Sequence, residues 1–141
     1  MNIGQRPVIV LGHGVRASGA DPRPLLDIGI PVLSSWQAAD LVDNWHPMYY
    51  GRPGIYGQRA ANRILYEADQ VISIGCRLTP WLIGHAGLRA EQRLTRVDID
   101  GSEVARFPGC EWINMDAAVF IERIRDERPG ARRAVRRGCV R

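Results

Sequence analysis

The chain has 141 residues, of which 45% are hydrophobic and 24% are charged, and this length and composition are typical of one soluble globular domain. No apolar run approaches the ~20 residues that cross a bilayer, and the amino terminus lacks the charged and apolar segments of a secretory signal. We therefore expect a cytoplasmic protein without a membrane partner.

The net charge of +4 arises at the carboxyl terminus. Residues 128–141 contain six Arg and no acidic residue, whereas residues 1–127 contain 13 Arg and 15 acidic residues, a net charge of −2. Pro129, Gly130 and Gly138 oppose helix formation in this basic tail, which we predict to be disordered. A basic arm can bind phosphate backbones, but a solvated linker is the favoured interpretation, so we expect no nucleic-acid partner. The globular domain is predicted over residues 1–127.

The cysteines and histidines do not form a recognisable metal or disulfide pattern. Cys76, Cys110 and Cys139 are odd in number and widely spaced, which is atypical of a disulfide framework or a zinc site. His46 and His85 have no nearby ligand partners in the sequence. No metal site is therefore predicted.

In chain order, short runs rich in Val and Ile alternate with segments of helical periodicity. Strands are predicted at residues 7–12, 31–35, 70–75, 94–99 and 111–114. Helices are predicted at residues 24–28, 35–41, 58–68, 82–93, 102–106 and 117–127, the last with Val119, Phe120 and Ile124 on one face. This alternation is typical of an α/β fold, a three-layer Rossmann-like domain in which helices cover both faces of a mainly parallel sheet.

The first candidate for ligand binding is Gly12-His13-Gly14, directly after the first predicted strand. Its backbone is able to approach a phosphate, but Ala17 stands where a G-x-G-x-x-G fingerprint has its third glycine. A phosphate loop and a tight structural turn both fit the pattern. His13 is predicted to be a loop residue, because no Ser, Cys or carboxylate motif pairs with it, and no catalytic residue is predicted.

Polar residues also follow the second, fourth and fifth predicted strands, whose carboxyl ends meet at the edge where α/β proteins bind ligands. Ser35 and Trp36 either line this crevice, or Ser35 caps the helix that begins beside it. Asp98 and Ile99 end the fourth strand, where a carboxylate commonly receives ribose hydroxyls. Asp116 either faces the nucleotide or caps the last helix.

A glycine-rich segment, residues 51–62, precedes a predicted helix and a strand that ends in Gly75-Cys76-Arg77. The glycines of the segment favour turns and let the backbone approach a ligand closely. A guanidinium after the strand is able to pair with a diphosphate, although an exposed ion pair is the competing interpretation of Arg77.

The sequence contains the following six segments in this order: RPVIVLGHGVRASGA from residue 6, GIPVLSSWQAADL from 29, GRPGIYGQRAAN from 51, ADQVISIGCRL from 68, TRVDID from 95 and NMDAAVFIERI from 114. This ordered set resembles the central domain of the thiamine diphosphate (TPP)-dependent enzymes, within the acetolactate synthase-like branch. The resemblance implies a DHS-like NAD/FAD-binding domain. The helix that usually precedes residue 6 in this family is missing from the sequence.

The same resemblance implies binding residues. Gly12 and Gly14 would lie against a dinucleotide, and Gly75 and Arg77 match the glycine and arginine after the third strand. Tyr56 and Gly57 match a loop that carries methionine and histidine in flavin-binding relatives, from which Tyr56 departs, and Trp81 stands where a second arginine is usual. FAD, ADP, another ligand and an empty site therefore all remain open.

The function implied by the resemblance is that of a non-catalytic middle domain, structural and with possible FAD or ADP binding. Thiamine diphosphate and magnesium would be held by flanking domains, because the sequence lacks Gly-Asp-Gly with its distant asparagine and the activating glutamate. This chain alone is predicted to be inactive, although the parent family decarboxylates or carboligates 2-oxo acids. The implied partners are thiamine diphosphate-binding domains and further copies of the chain, as a homo-oligomer.

Two alternatives remain open. One is a free-standing nucleotide-binding regulatory module, which would bind an adenine nucleotide without the other domains. The other is a sirtuin-like NAD-consuming enzyme, because GHGVRASGADPRP is similar to the glycine loop of that family. The paired cysteines and the catalytic histidine segment of sirtuins are absent from the sequence.

Overall fold

The computed structural model describes residues 3–127, and the predicted disorder of residues 128–141 lies outside them. Five strands form one sheet in the order β2-β1-β3-β4-β5, and every neighbouring pair is parallel. The strands are β1 (Pro7–Leu11), β2 (Val32–Ser34), β3 (Gln70–Ile74), β4 (Arg93–Val97) and β5 (Glu111–Ile113). The predicted α/β class and the Rossmann-like parallel sheet are confirmed.

The helices of the described region are short. They are α1 (His13–Ala17), α2 (Arg23–Leu26), a 3-10 helix (Trp36–Leu41), α3 (Arg59–Glu67), α4 (Pro80–Ile83), α5 (Gly101–Ala105) and α6 (Ala117–Asp126). Among residues 3–127, no helix has the length and apolar character needed to cross a membrane.

Three local predictions are wrong. The helix predicted over residues 82–93 ends at Ile83, because Gly84 and Gly87 have φ angles of 78° and 70° that a right-handed helix does not allow. His13 is the first residue of α1 rather than a loop residue. Val119 is exposed, whereas Phe120 is buried on the core face of α6.

The core lies on both sides of the sheet because successive strand residues face opposite ways. Ile9 and Leu11 of β1 face the layer formed by α2 and α6, where Phe120 is buried. Val8 and Val10 face α3 on the other side. These two apolar clusters give the domain its three layers.

The strand order places β1 between β2 and β3. The chain therefore leaves β1 toward one side of the sheet and continues through β3 on the other side. In open parallel sheets, such a reversal leaves a crevice outside the carboxyl ends of the strands, where ligands bind. The candidate site occupies this edge.

Candidate functional site

A cavity of about 710 Å³ lies at the carboxyl edge of the sheet. It is lined by most of the residues that the sequence predicts for the site: Gly12, Gly14, Ser35, Trp36, Gly75, Arg77 and Asp98. They come together because each follows the end of β1, β2, β3 or β4. The cavity also includes residues outside that prediction, namely His13, Gln37, Cys76, Thr79, Trp81, Leu82, Asp100 and Glu103.

The glycines after β1 and β3 pack backbone against backbone. A Cβ atom on Gly12 would lie 2.2 Å from the carbonyl oxygen of Gly75, and one on Gly14 would lie 2.7 Å from the Cα of Gly75. The amide of Gly12 donates to Ile74 O at 3.0 Å and that of Gly14 donates to Gly75 O at 2.8 Å. Both amides are therefore engaged within the protein. The close contact of Gly12 and Gly14 with Gly75 forms part of the cavity lining. This contact agrees with the interpretation of Gly12-His13-Gly14 as a tight structural turn.

Ser35 is buried in the cavity wall, and its backbone N–H donates to Leu11 O at 2.8 Å. The 3-10 helix begins at Trp36, and within residues 3–127 the Ser35 hydroxyl makes neither a capping bond nor any other hydrogen bond. The capping alternative for Ser35 is thus wrong. A buried hydroxyl without a protein partner is free to bond a ligand or water, and Ser35 lines the cavity, unlike Ser73, whose hydroxyl also has no partner in the described region.

Charged side chains of both signs also line the cavity. The exposed Arg77 places its Nε 3.5 Å from the carboxylate of Glu103, so the exposed ion pair expected as an alternative is present. Asp100 accepts hydrogen bonds from the Ser102 hydroxyl at 2.6 Å and the Ser102 N–H at 2.9 Å. These bonds lower the pKa of Asp100. Asp100 therefore remains ionised near neutral pH while it caps α5.

Arg96 is absent from the residues that the sequence predicts for the site, yet its side chain is 0% exposed. Its guanidinium donates to Cys76 O at 2.6 Å and to Glu103 O at 2.8 Å. It also lies 3.5 Å from the Asp98 carboxylate, while its Nε has no partner among the described residues. Arg96 thus connects the residue after β3 to α5 from behind the cavity.

A signal for Arg96 does exist in the sequence. An arginine inside a strand that is covered on both faces needs a partner, and Asp98 stands two residues further on, which places both side chains on the same face of the strand. This spacing predicts the contact that the structure contains.

The sequence of the chain matches a known protein family. Residues 1–124 match the profile described as "Thiamine pyrophosphate enzyme, central domain". The chain belongs to this family.

Relatives of this central domain include acetolactate synthases. The isozyme 1 large subunit of Escherichia coli K12 is 33% identical over 112 residues, which cover 75% of this chain and 19% of that protein. A probable acetolactate synthase large subunit of Methanococcus aeolicus is 32% identical over 106 residues, 72% of this chain and 18% of that protein. The chain therefore spans about a fifth of the length of these relatives.

A solved structure shares the fold of this central domain. The Rhodococcus jostii RHA1 thiamine diphosphate-dependent 4-hydroxybenzoylformate decarboxylase superposes with a TM-score of 0.68 at 23% identity. The alignment covers 87% of this chain and 24% of the decarboxylase chain. The resemblance of the sequence to thiamine diphosphate-dependent enzymes is confirmed by the matching family profile and by the acetolactate synthase relatives.

Four residues predicted for the site of this central domain do not line the cavity: Tyr56, Gly57, Ile99 and Asp116. Tyr56 lies beside it, where its ring stacks on that of Trp81. Gly57 donates to Gly54 O within its own turn, and Ile99 is exposed. Asp116 accepts the Ala118 N–H at 2.8 Å. Of the two alternatives for Asp116, the cap of α6 is therefore the one observed.

Cys76 borders the cavity of the central domain but lacks the properties of a nucleophile. Its side chain is buried, and burial raises the pKa of the thiol to about 12. The thiolate is the reactive form of cysteine. At neutral pH Cys76 is therefore protonated and inert, and its contribution is packing against Leu65 and the rest of the α3 side of the core.

Proposed function

We propose that this central domain has a structural role in a thiamine diphosphate-dependent 2-oxo acid decarboxylase or carboligase of the acetolactate synthase-like type, and that it binds FAD or ADP at the carboxyl edge of its sheet. The observation that carries the nucleotide proposal is the Ser35 hydroxyl, buried and without a partner in the described region, in the wall of the 710 Å³ cavity. A volume of this size is typical of ligand sites.

The charges of the cavity suggest an orientation for the nucleotide. Phosphates are repelled by the carboxylates of Asp98, Asp100 and Glu103 and attracted by Arg77. The phosphates would therefore lie near Arg77 and Ser35, where a guanidinium and a hydroxyl are available as donors. The ribose would lie near Asp98, because a carboxylate accepts hydrogen bonds from its hydroxyls.

The chemistry on 2-oxo acids belongs to the cofactor of the parent family, thiamine diphosphate with magnesium, which supplies the nucleophilic carbon when bound. In this proposal the flanking or partner domains hold that cofactor, and the present chain contributes position and shape. Isolated residues 1–141 would then turn over no 2-oxo acid.

A thermal-shift titration with FAD, ADP, NAD and thiamine diphosphate tests the nucleotide proposal. A ligand that binds only the folded state at 100 times its Kd stabilises that state by about 2.7 kcal/mol. We expect FAD or ADP to raise the unfolding midpoint, and Arg77→Gln to reduce the rise. Arg63→Gln is the matched control, because Arg63 is an exposed arginine that pairs with Glu67 on α3.

The outcomes separate binding from a purely structural role. A midpoint that FAD and ADP leave unchanged would remove nucleotide binding and leave a structural spacer. A rise with NAD alone would instead favour NAD as the ligand. A rise that Arg77→Gln and Arg63→Gln affect equally would place the phosphates away from Arg77.

A further inference from the structure

Two exposed aromatic rings stand together at the mouth of the cavity. The rings of Tyr56 and Trp81 are nearly parallel, with an interplanar angle of 16° and centroids 6.1 Å apart. The two residues are 77% and 65% exposed. Large aromatic side chains are usually buried well beyond this level. Their paired exposure therefore presents an aromatic surface to the solvent beside the cavity.

The backbone around this ring pair is firmly held. The Ile55 N–H donates to Trp81 O at 3.0 Å, and a Cβ atom on Gly54 would lie 2.2 Å from the same oxygen. The Asn62 side chain accepts from the Gly54 N–H at 2.7 Å and donates to Gly54 O at 3.0 Å. The Tyr56 loop is thereby fixed to both α3 and α4. A surface that is ordered before binding loses little entropy when a ligand arrives.

One member of the ring pair, Trp81, lines the cavity, and Tyr56 lies beside it. Trp81 lines the same cavity as Ser35 and Arg77. Trp36 lines it as well, but the Arg52 guanidinium lies 4.3 Å from the centre of its ring. Trp36 thus already has a cation partner, whereas within residues 3–127 the aromatic and cation contacts of Tyr56 and Trp81 are confined to each other.

We propose that Tyr56 and Trp81 form a stacking platform for the planar heteroaromatic ring of the nucleotide. This inference rests on the proposed nucleotide binding at the same site. Aromatic stacking needs no complementary charge, so it is compatible with the carboxylates of Asp98, Asp100 and Glu103 at this cavity. Stacking on Trp81 would thus contribute binding affinity without a positively charged side chain at position 81.

The test is a titration of the 141-residue chain with ADP, FMN and FAD, in which binding is measured by tryptophan fluorescence and by isothermal titration calorimetry. Stacking of one base on an aromatic side chain corresponds to about a 5- to 140-fold change in Kd. We expect Trp81→Leu and Tyr56→Leu to weaken binding by a factor in this range, and Trp81→Phe to retain most of the affinity. Trp45→Leu is the matched control, since Trp45 is an exposed tryptophan that does not line the cavity.

The three ligands identify the ring that stacks, because ADP carries only adenine, FMN carries only the isoalloxazine and FAD carries both. Loss of affinity for ADP and FAD would assign adenine, and loss for FMN and FAD would assign the isoalloxazine; either supports the platform. Wild-type affinity in Trp81→Leu and Tyr56→Leu would overturn the platform and leave the proposed nucleotide binding intact. Wild-type protein that binds none of the three would overturn both.

Both leucine variants change exposed side chains, so we expect them to fold, with circular dichroism spectra like that of the wild type. Tryptophan fluorescence provides a second readout, and because Trp36 also lines the cavity, the quenching by a bound nucleotide should be smaller in Trp81→Leu than in the wild type. Binding that leaves this fluorescence unchanged would contradict stacking on Trp81.

Discussion

The buried Arg96 allows a quantitative test of how the walls of the cavity are held. Replacement by methionine keeps most of the apolar stem and removes the guanidinium. The variant Arg96→Met leaves the carbonyls of Cys76 and Glu103 without the donors that lie at 2.6 and 2.8 Å in the wild type. It also leaves Asp98, whose side chain is only 13% exposed, without its cation at 3.5 Å.

The expected loss of stability follows from these contacts. A hydrogen bond to a charged group contributes about 1.5–3 kcal/mol, and removal of one partner from a buried ion pair costs about 3–5 kcal/mol. The methionine side chain offsets part of this loss of stability, because it fills the space that the arginine stem occupies in the wild type. We therefore expect Arg96→Met to lower the free energy of unfolding by about 3 kcal/mol, a large part of the 5–15 kcal/mol of a typical domain.

Urea denaturation followed by far-UV circular dichroism measures this change. With a slope of about 2 kcal/mol per molar urea, the midpoint should fall by about 1.5 M. Arg63→Met is the control, because the exposed pair of Arg63 and Glu67 on α3 contributes only about 0.5 kcal/mol. The loss caused by Arg96→Met should shrink in an Asp98→Asn background, since the carboxylate left unpaired is then absent.

Two results would refute this reasoning. One is an Arg96→Met variant whose midpoint matches that of Arg63→Met. The other is a loss of stability that is the same with Asp98 and with Asn at that position, which would mean that the carboxylate and the guanidinium do not interact.

Three further predictions concern single residues at or near the site. Gly12→Ala should destabilise the domain by about 1–3 kcal/mol, because its Cβ would lie 2.2 Å from the backbone of Gly75. Gly101→Ala is the control, because the nearest atom to its Cβ would be a side-chain atom of Trp112 at 3.1 Å. Equal urea midpoints for the two variants would contradict the close contact at Gly12. Asp116→Ala should cost about 1 kcal/mol through loss of the α6 cap, and an unchanged midpoint would show that the cap is dispensable. At pH 8 a thiol reagent should modify Cys110 much faster than Cys76, whose buried thiol has a pKa of about 12, as measured by peptide mass spectrometry; similar rates would argue against the burial of Cys76.

The strands were the most predictable part of the fold. A strand covered on both faces, such as β1, is a continuous apolar run, and Gly, Pro or Asp marks its ends. The helix predicted over residues 82–93 was wrong because two glycines with positive φ outweigh the apolar spacing. The helix α1 was not predicted, because the glycines at positions 12 and 14 favour a turn. Their close contact with Gly75 explains why glycine is present there, but the sequence does not show this contact.

The position of the cavity was predictable because the carboxyl ends of parallel strands converge. Ser35 and Arg77 reach the cavity for this reason alone. The pairing of Tyr56 with Trp81 was not predictable, because it depends on how the loop that carries Tyr56 lies against α4, which is separated from it in sequence by α3 and β3. The same holds for Arg96, whose contacts with Cys76 and Glu103 join separate elements.

The most direct test of the central claim is a ¹H–¹⁵N correlation spectrum of the labelled chain during titration with ADP. We expect progressive shifts of the backbone amides of Ser35, Gly75, Arg77 and Asp98, which surround the cavity at the carboxyl edge. A second cavity, lined by residues that include Gln92 and Gly109, serves as an internal control. Shifts confined to that second cavity, or a spectrum that ADP does not change, would contradict nucleotide binding at the carboxyl edge.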